Sequence, residues 1–404
     1  MSSQAETERD ARLDDVLRQA SGGHRRLLSS LRRWRAEMPD AVLRAALLPH
    51  QTWADAQSLL IDMARIAHRQ LLPHLHFSLG QRLGGHALEP EMRSARLYNG
   101  LRNKKVRQER NEVVAQLQAG GVEALVFKGA DLAYSSYPDP CCRLVGDIDL
   151  LIEEARFEHA VEILMAQGWT TPDGSVHPAR KYVSRSMSLR HLDFGVSLDV
   201  HDHANHHAIC AGTDQIYFER SATRREDGGL EIRALCPEHS LLQVCCHGAA
   251  QNFYPPVRWA ADAVWILRAA GEGFDWDVLL AAARNNNARL ILSVSLAYLQ
   301  LVLDIAIPTG VLREMGRALV RRSYRTAWSF RLDEPRGHVE RASAYMSRFR
   351  EARPGDGLLQ ALPHAPDFLC NTQGTESSIV ALCSLARKAV RAKYNRTPSS
   401  RSLT

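Results

Sequence analysis

Two aspartates one residue apart, in Gly146-Asp147-Ile148-Asp149-Leu150-Leu151, are the residues of this 404-residue chain best suited to chemistry. In a β-strand, residues i and i+2 point to the same face. Asp147 and Asp149 are therefore expected to project together, with Ile148 and Leu150 packed behind them. Carboxylates held a few ångströms apart repel each other unless a cation lies between them. Hard divalent ions such as Mg²⁺ or Mn²⁺ take oxygen ligands and leave positions open for phosphate oxygens. The pattern points to phosphoryl or nucleotidyl transfer, in which charge neutralisation and positioning carry the reaction. A bare Asp-x-Asp is more often a solvated strand end, so the neighbouring residues decide between the two readings.

Those neighbours favour chemistry. Phe127-Lys128-Gly129-Ala130 follows a short apolar run and precedes a helical pattern. Gly129 would let a phosphate approach the backbone, next to the free N–H groups of a helix start. Lys128 could balance phosphate charge, and Arg143 offers a planar fork for phosphate oxygens. A third carboxylate is expected from Leu198-Asp199-Val200-His201, where Asp199 sits between apolar residues of a strand pattern. Asp193, nearer the turn at Gly195, is the second choice. Asp147, Asp149 and Asp199 are thus the expected metal ligands and catalytic carboxylates, with Lys128, Gly129 and Arg143 holding the substrate.

Two other groupings read as structural. His201, His203, His206 and His207 lack the accompanying CxxC or HExxH of a zinc site and read as polar loop histidines, although His201 would share a face with Asp199 if the strand is regular. His247 beside Cys245 and Cys246 reads as a packed helical histidine, since no orienting acid accompanies a Cys-His pair. The eight cysteines form no regular framework and are expected as free thiols in a reducing cytoplasm.

The elements that must position these residues form an α+β arrangement. Residues 1–25 are polar and expected to fray. A helical region is expected over 26–120, including an apolar stripe at Leu59, Leu60, Met63, Ile66 and Ala67 and a long charged helix over 91–119 stopped by Gly120-Gly121. Residues 121–235 read as a small core with a mixed sheet. Its strands are expected over 124–127, 147–152, 186–194, 196–201 and 231–235, with a helix over 153–167. From 236 to 350 the 3.6-residue period returns, in stretches 237–251, 257–270, 276–285 and 288–304. Residues 351–404 read as a Gly/Pro-rich loop, a basic helix over 378–394 and a disordered tail.

Composition narrows the class. Apolar residues make up 45% and charged residues 24%, ordinary for a globular protein. The formal net charge of +6 suits an anionic substrate, but the basic residues are interleaved with acids, which argues against a dedicated nucleic-acid binder. No apolar run reaches membrane-span length, and the N-terminus is too polar and acidic for a secretory signal, so no membrane partner and a cytoplasmic location are expected.

As a set, Phe127-Lys128-Gly129, Tyr137-Pro138, Arg143 and Gly146-Asp147-Ile148-Asp149-Leu150-Leu151 resemble a bacterial family of uncharacterised nucleotidyltransferases in the polymerase-β superfamily. The resemblance extends to Asp199 and His201, to His247, Arg258-Trp259 and Asp262, and to Phe274-Asp275-Trp276-Asp277. It spans roughly residues 50 to 310. It implies a nucleotidyltransferase core flanked by helices and a Mg²⁺-dependent site. The implied reaction moves a nucleoside monophosphate from a nucleoside triphosphate to a small-molecule, peptide or protein acceptor. Superfamily members usually carry Gly-Ser or Gly-Gly at the first turn; here it is Gly129-Ala130. That departure leaves open a second reading, a module of the same fold that acts by nucleotide or protein binding without catalysis.

Overall fold

The computed structural model describes residues 44, 46–47, 69–80, 84–171, 186–204, 215–221, 223–251, 257–286 and 288–317. The expected frayed N-terminus, the apolar stripe at 59–67, His206, His207 and everything after 317 lie outside these residues. Six strands form one mixed sheet: β1 (Ala124–Phe127), β2 (Asp147–Ile152), β3 (Ser186–Leu189), β4 (Ser197–His201), β5 (Thr223–Asp227) and β6 (Leu230–Ala234). Their order is β3-β4-β2-β1-β6-β5, with β2–β4 and β1–β6 parallel and the other pairs antiparallel. The fold is α+β, a small mixed sheet flanked by helices.

Period-2 alternation divides the sheet into two chemically different faces. Ala124, Val126, Ile148, Leu150, Ile152, Leu198 and Val200 lie on one face, in a single apolar core. That core is completed by Val106, Val113, Val114 and Leu117 of α2 (Glu89–Ala119) and by Phe157, Ala160, Val161 and Leu164 of α4 (Phe157–Ala166). The opposite face carries Leu125, Phe127 and Leu151 in a small apolar cluster with Tyr217 and Leu235, and beside it Asp147, Asp149, Asp199 and His201. Burying one face firmly fixes the register, because a one-residue slip would drive the carboxylates into the core.

Helix α2 also shapes the approach to β2. Its first half buries two asparagine amides besides Met92. Asn103 Nδ2 donates to the carbonyls of Pro140 (2.7 Å) and Arg143 (2.6 Å), and its Oδ1 accepts from the Val145 amide at 3.0 Å. Asn99 donates to the Cys141 carbonyl at 3.1 Å, and Arg102 Nε to that of Val145 at 3.0 Å. One helix thus satisfies several backbone groups of the segment between α3 (Gly129–Ser135) and β2. Further along α2, Arg107 and Arg110 both pair with Asp227, tying down the β5–β6 hairpin. Gly228 and Gly229 turn that hairpin with φ of 63° and 84°, the left-handed pair a two-residue loop requires.

The second core is helical. It combines α1 (Leu72–Leu79), α5 (Pro237–Gln251), α6 (Val257–Ala270), α7 (Trp276–Asn285), α8 (Arg289–Leu303) and α9 (Thr309–Arg317), with Leu132 and Tyr137 reaching in from the sheet side. No helix among the described residues is long and apolar enough to cross a membrane. The two cores are pinned together by one carboxylate. Asp262 of α6 accepts from the Tyr137 hydroxyl (2.6 Å) and from Arg143 Nε (2.7 Å) on Oδ1, and from Arg143 Nη2 (3.0 Å) on Oδ2.

Removing one member of a buried ion pair strands the other charge, at a cost of about 3–5 kcal/mol, whereas replacing both by apolar groups can be close to neutral. Asp262→Leu is therefore expected to lower stability by about 3–5 kcal/mol. Arg143→Met added to it should restore most of the loss. Denaturant unfolding of the single and double variants checks this, and a double variant no more stable than the single one would contradict the ion-pair account.

Candidate active site

The site begins with a strained turn. Lys128 links β1 directly to α3 and adopts φ 54°, ψ −139°, a region that costs a residue with a Cβ about 1–3 kcal/mol. The Lys128 carbonyl accepts from the Leu132 amide at 2.9 Å, which starts the helix. The Lys128 ammonium lies 2.6 Å from Asp149 Oδ1 and 5.0 Å from the centre of the Phe127 ring.

Parallel pairing of β2 with β4 then sets Asp149 directly opposite Asp199, with Asp147 opposite Ser197 and Leu151 opposite His201. Asp149, Asp199 and His201 each present a ligand atom within 4.8 Å of the other two. Asp149 is 2% exposed, and its Oδ1 also lies 2.9 Å from His201 Nε2, itself 3.4 Å from Lys128 Nζ. The His201 ring meets Phe127 edge-on at 5.1 Å. Asp199 Oδ1 is buried and has no hydrogen-bond partner among the described residues.

Electrostatics separate the two members of the Asp-x-Asp pair. Burial alone would raise the Asp149 carboxyl, but the Lys128 charge and the His201 hydrogen bond outweigh it and hold the group well below the ordinary carboxylate range. Asp147 goes the other way. Burial and then the Asp149 charge push it up to about 6. His201 is pushed down by burial and by Lys128, so its ring is neutral near pH 7. His247 of α5 is pushed down to about 4 by burial, with Lys128 adding to the effect from nearby.

The structure thus brings Asp149, Asp199 and Lys128 to one place, with Asp147 alongside on the same face. Asp193 is 90% exposed by side chain, in the turn before β4 beside His191. Two residues stand differently from the sequence reading. The Arg143 fork is not open to a phosphate: Nε and Nη2 face Asp262, and Nη1 donates to the Leu144 carbonyl at 2.6 Å. The space above Gly129 is filled by that same guanidinium, which a Cβ at 129 would meet at 3.3–3.4 Å. Glycine there admits an arginine.

His201, read from the sequence only as a neighbour of Asp199, joins Asp149 and Asp199 in the cluster. Its signal was its place two residues after Asp199, which puts both on one strand face. His203 lies past the strand end and pairs with Asp202 at 3.2 Å; it is not part of the cluster. Burial pushes the Cys245 thiol up to about 12, which keeps it protonated near neutral pH and argues against its acting as a thiolate nucleophile with His247.

The elevated Asp147 has a consequence for stability. Below about pH 4 the group is protonated in both folded and unfolded chains. As pH rises toward about 6 the unfolded chain releases the proton first, so stability falls, and the penalty persists above that range. Asp147→Asn is expected to stabilise the metal-free protein by about 1–2 kcal/mol at pH 7, after allowance for partial exposure, and by nothing at pH 3.5. Thermal melts of both proteins across that range test the sign. A variant less stable than its parent at pH 7 would contradict the assignment.

Comparison with known proteins agrees with this geometry. No curated protein matches the chain. Residues 56–304 match a family described as "Uncharacterised nucleotidyltransferase", a span that contains the whole described sheet, the Asp-x-Asp strand and helices α1 to α8. With well over half of its length inside that match, the chain belongs to the uncharacterised nucleotidyltransferase family.

Proposed function

We propose that the protein is a divalent-metal-dependent nucleotidyltransferase that moves a nucleoside monophosphate from a nucleoside triphosphate to a hydroxyl-bearing small molecule, peptide or protein. The observation that carries this reading is the Asp149–Asp199 pairing across two parallel strands, with Asp147 on the same face and a buried Asp199 oxygen that has no donor among the described residues. The donor set fits a cation. Asp149 and Asp199 with Asp147 suit Mg²⁺, and the His201 imidazole in the cluster tilts the preference toward Mn²⁺. When bound, such an ion neutralises phosphate charge and polarises the α-phosphorus.

The chain's own residues do the rest. Lys128 neutralises Asp149 in the metal-free site and supplies a positive charge for a phosphate oxygen when a cation takes over that task. Arg143, held by Asp262, keeps the Gly129 turn in place and lends its charge to the side of the site nearest Asp147. Asp199 accepts the proton of the acceptor hydroxyl. The acceptor oxygen bonds to the α-phosphorus, the bond from that phosphorus to the bridging oxygen breaks, and pyrophosphate leaves. The Gly129-Ala130 turn supports the second reading, a nucleotide-binding module without catalysis, because Ala130 buries its methyl in the sheet core and offers no hydroxyl.

The test is incubation of the full chain with each labelled nucleoside triphosphate, Mg²⁺ or Mn²⁺, and a lysate of the source organism. Label should appear in a product in a metal-dependent way. Asp199→Asn should reduce it roughly 10²–10³-fold, the loss typical when one charge-stabilising group leaves such a site, with an unchanged melting temperature. Metal-dependent nucleotide binding with no labelled product under any condition would favour the non-catalytic module. Absence of binding would remove both readings.

A further inference from the structure

Three cations stand near the carboxylates, and two are already committed. Lys128 pairs with Asp149, and Arg143 spends all three guanidinium nitrogens on Asp262 and the Leu144 carbonyl. The third is Arg258, in the first turn of α6. It is half-buried, and among the described residues it makes no hydrogen bond and no ion pair. An arginine drawn partly out of water without an acceptor is costly, and its guanidinium is built to take two oxygens of a phosphate.

The rotation of α6 determines where Arg258 faces. Trp259 is turned into the helical core, with its ring 5.5 Å from Tyr298 and its Cβ seated where Gly248 leaves room. Asp262 lies one turn after Arg258, on the same side of the helix. It points at Arg143, whose guanidinium covers Gly129 at the start of α3. Arg258 is therefore directed toward the same end of the sheet. Its electrostatic neighbours agree: Arg143, Asp262 and Asp147 all act on it. Asp262 already accepts three hydrogen bonds from Tyr137 and Arg143 and none from Arg258, and the Arg143 guanidinium repels Arg258. Among the described residues no carboxylate forms an ion pair with Arg258, although Asp262 and Asp147 lie near enough to act on it.

We propose that Arg258 forms an anion subsite for the β- and γ-phosphates of the nucleoside triphosphate, the part of the substrate that leaves as pyrophosphate. The assignment deepens the nucleotidyltransferase reading and rests on it for the identity of the anion. It transfers to Arg258 the phosphate-clamping role that the sequence suggested for Arg143. In this arrangement Asp262 occupies Arg143 and leaves Arg258 open, so one carboxylate decides which arginine meets the substrate.

The experiment is calorimetric titration of the full chain, its Arg258→Gln variant and its Arg258→Lys variant. The probes are inorganic tripolyphosphate, a nucleoside monophosphate, and a non-hydrolysable nucleoside triphosphate with Mn²⁺; Mn²⁺ alone is titrated in parallel. Arg258→Gln should weaken tripolyphosphate and triphosphate binding about 10-fold or more, the scale of one bidentate charge-assisted contact. Monophosphate and Mn²⁺ binding should stay unchanged, the melting temperature should not fall, and Arg258→Lys should recover part of the loss. Unchanged tripolyphosphate affinity in Arg258→Gln would overturn the proposal. So would a parent protein that does not bind tripolyphosphate, or a uniform loss across all probes with a lowered melting temperature. The two readings fail separately: Arg258-dependent tripolyphosphate binding without any Mn²⁺ or nucleotide binding keeps the anion subsite and removes the transferase. Normal Mn²⁺-dependent nucleotide binding in Arg258→Gln does the reverse.

Discussion

A carboxylate taken out of water must be neutralised, and Asp149 is 2% exposed with Asp199 directly opposite and Asp147 two residues away. Much of the architecture around it follows from that requirement. Lys128 accepts a backbone conformation unfavourable for a residue with a Cβ, and its ammonium reaches Asp149 at 2.6 Å. His201 brings an imidazole nitrogen to the same oxygen. Asp147, the member of the pair with no such partner, is pushed up toward neutral pH. The negative charge is concentrated on Asp149 and balanced there, while Asp147 holds its proton more tightly and the buried Oδ1 of Asp199 has no hydrogen-bond partner among the described residues.

The same constraint explains the division of labour between the two cores. The sheet core orients the carboxylates by burying the opposite face, and it does so with ordinary aliphatic packing against α2 and α4. The helical core supplies Asp262, and through Asp262 it decides the state of Arg143, Tyr137 and the Gly129 turn. A substitution deep in α6 would therefore reach the site without touching any carboxylate in it. Helix α2 serves both functions. Its C-terminal half packs on the sheet, and its N-terminal half holds the backbone of the segment leading into β2, so the direction in which the Asp-x-Asp strand begins depends on Asn99, Arg102 and Asn103.

The amino-acid sequence by itself determined what depends on local period and local stops. The strands at 124–127 and 147–152, the long helix ended by Gly120-Gly121 and the four helical stretches from 237 to about 303 all follow from apolar spacing and glycine placement. The expectation that Asp147 and Asp149 share a face rests on alternation alone, and the choice of Asp199 over Asp193 followed from its apolar neighbours. Where local signals were weak the reading slipped. The strand expected over 186–194 stops at Leu189, because the chain turns before Gly195. Strand β5 was missed altogether: its charged sequence lacks an apolar face, although Gly228-Gly229 marked the hairpin. Tertiary structure alone decided the partners of the charged groups. Arg143 looked like a phosphate clamp because its nearest carboxylate in the folded chain, Asp262, lies 119 residues away. His201 gained its place from the pairing of β4 with β2, and Asp262 pairs with Arg143 and not with Arg258, four residues away on its own helix. A charge is assigned by whatever the fold brings within a few ångströms, and sequence separation carries no information about that distance.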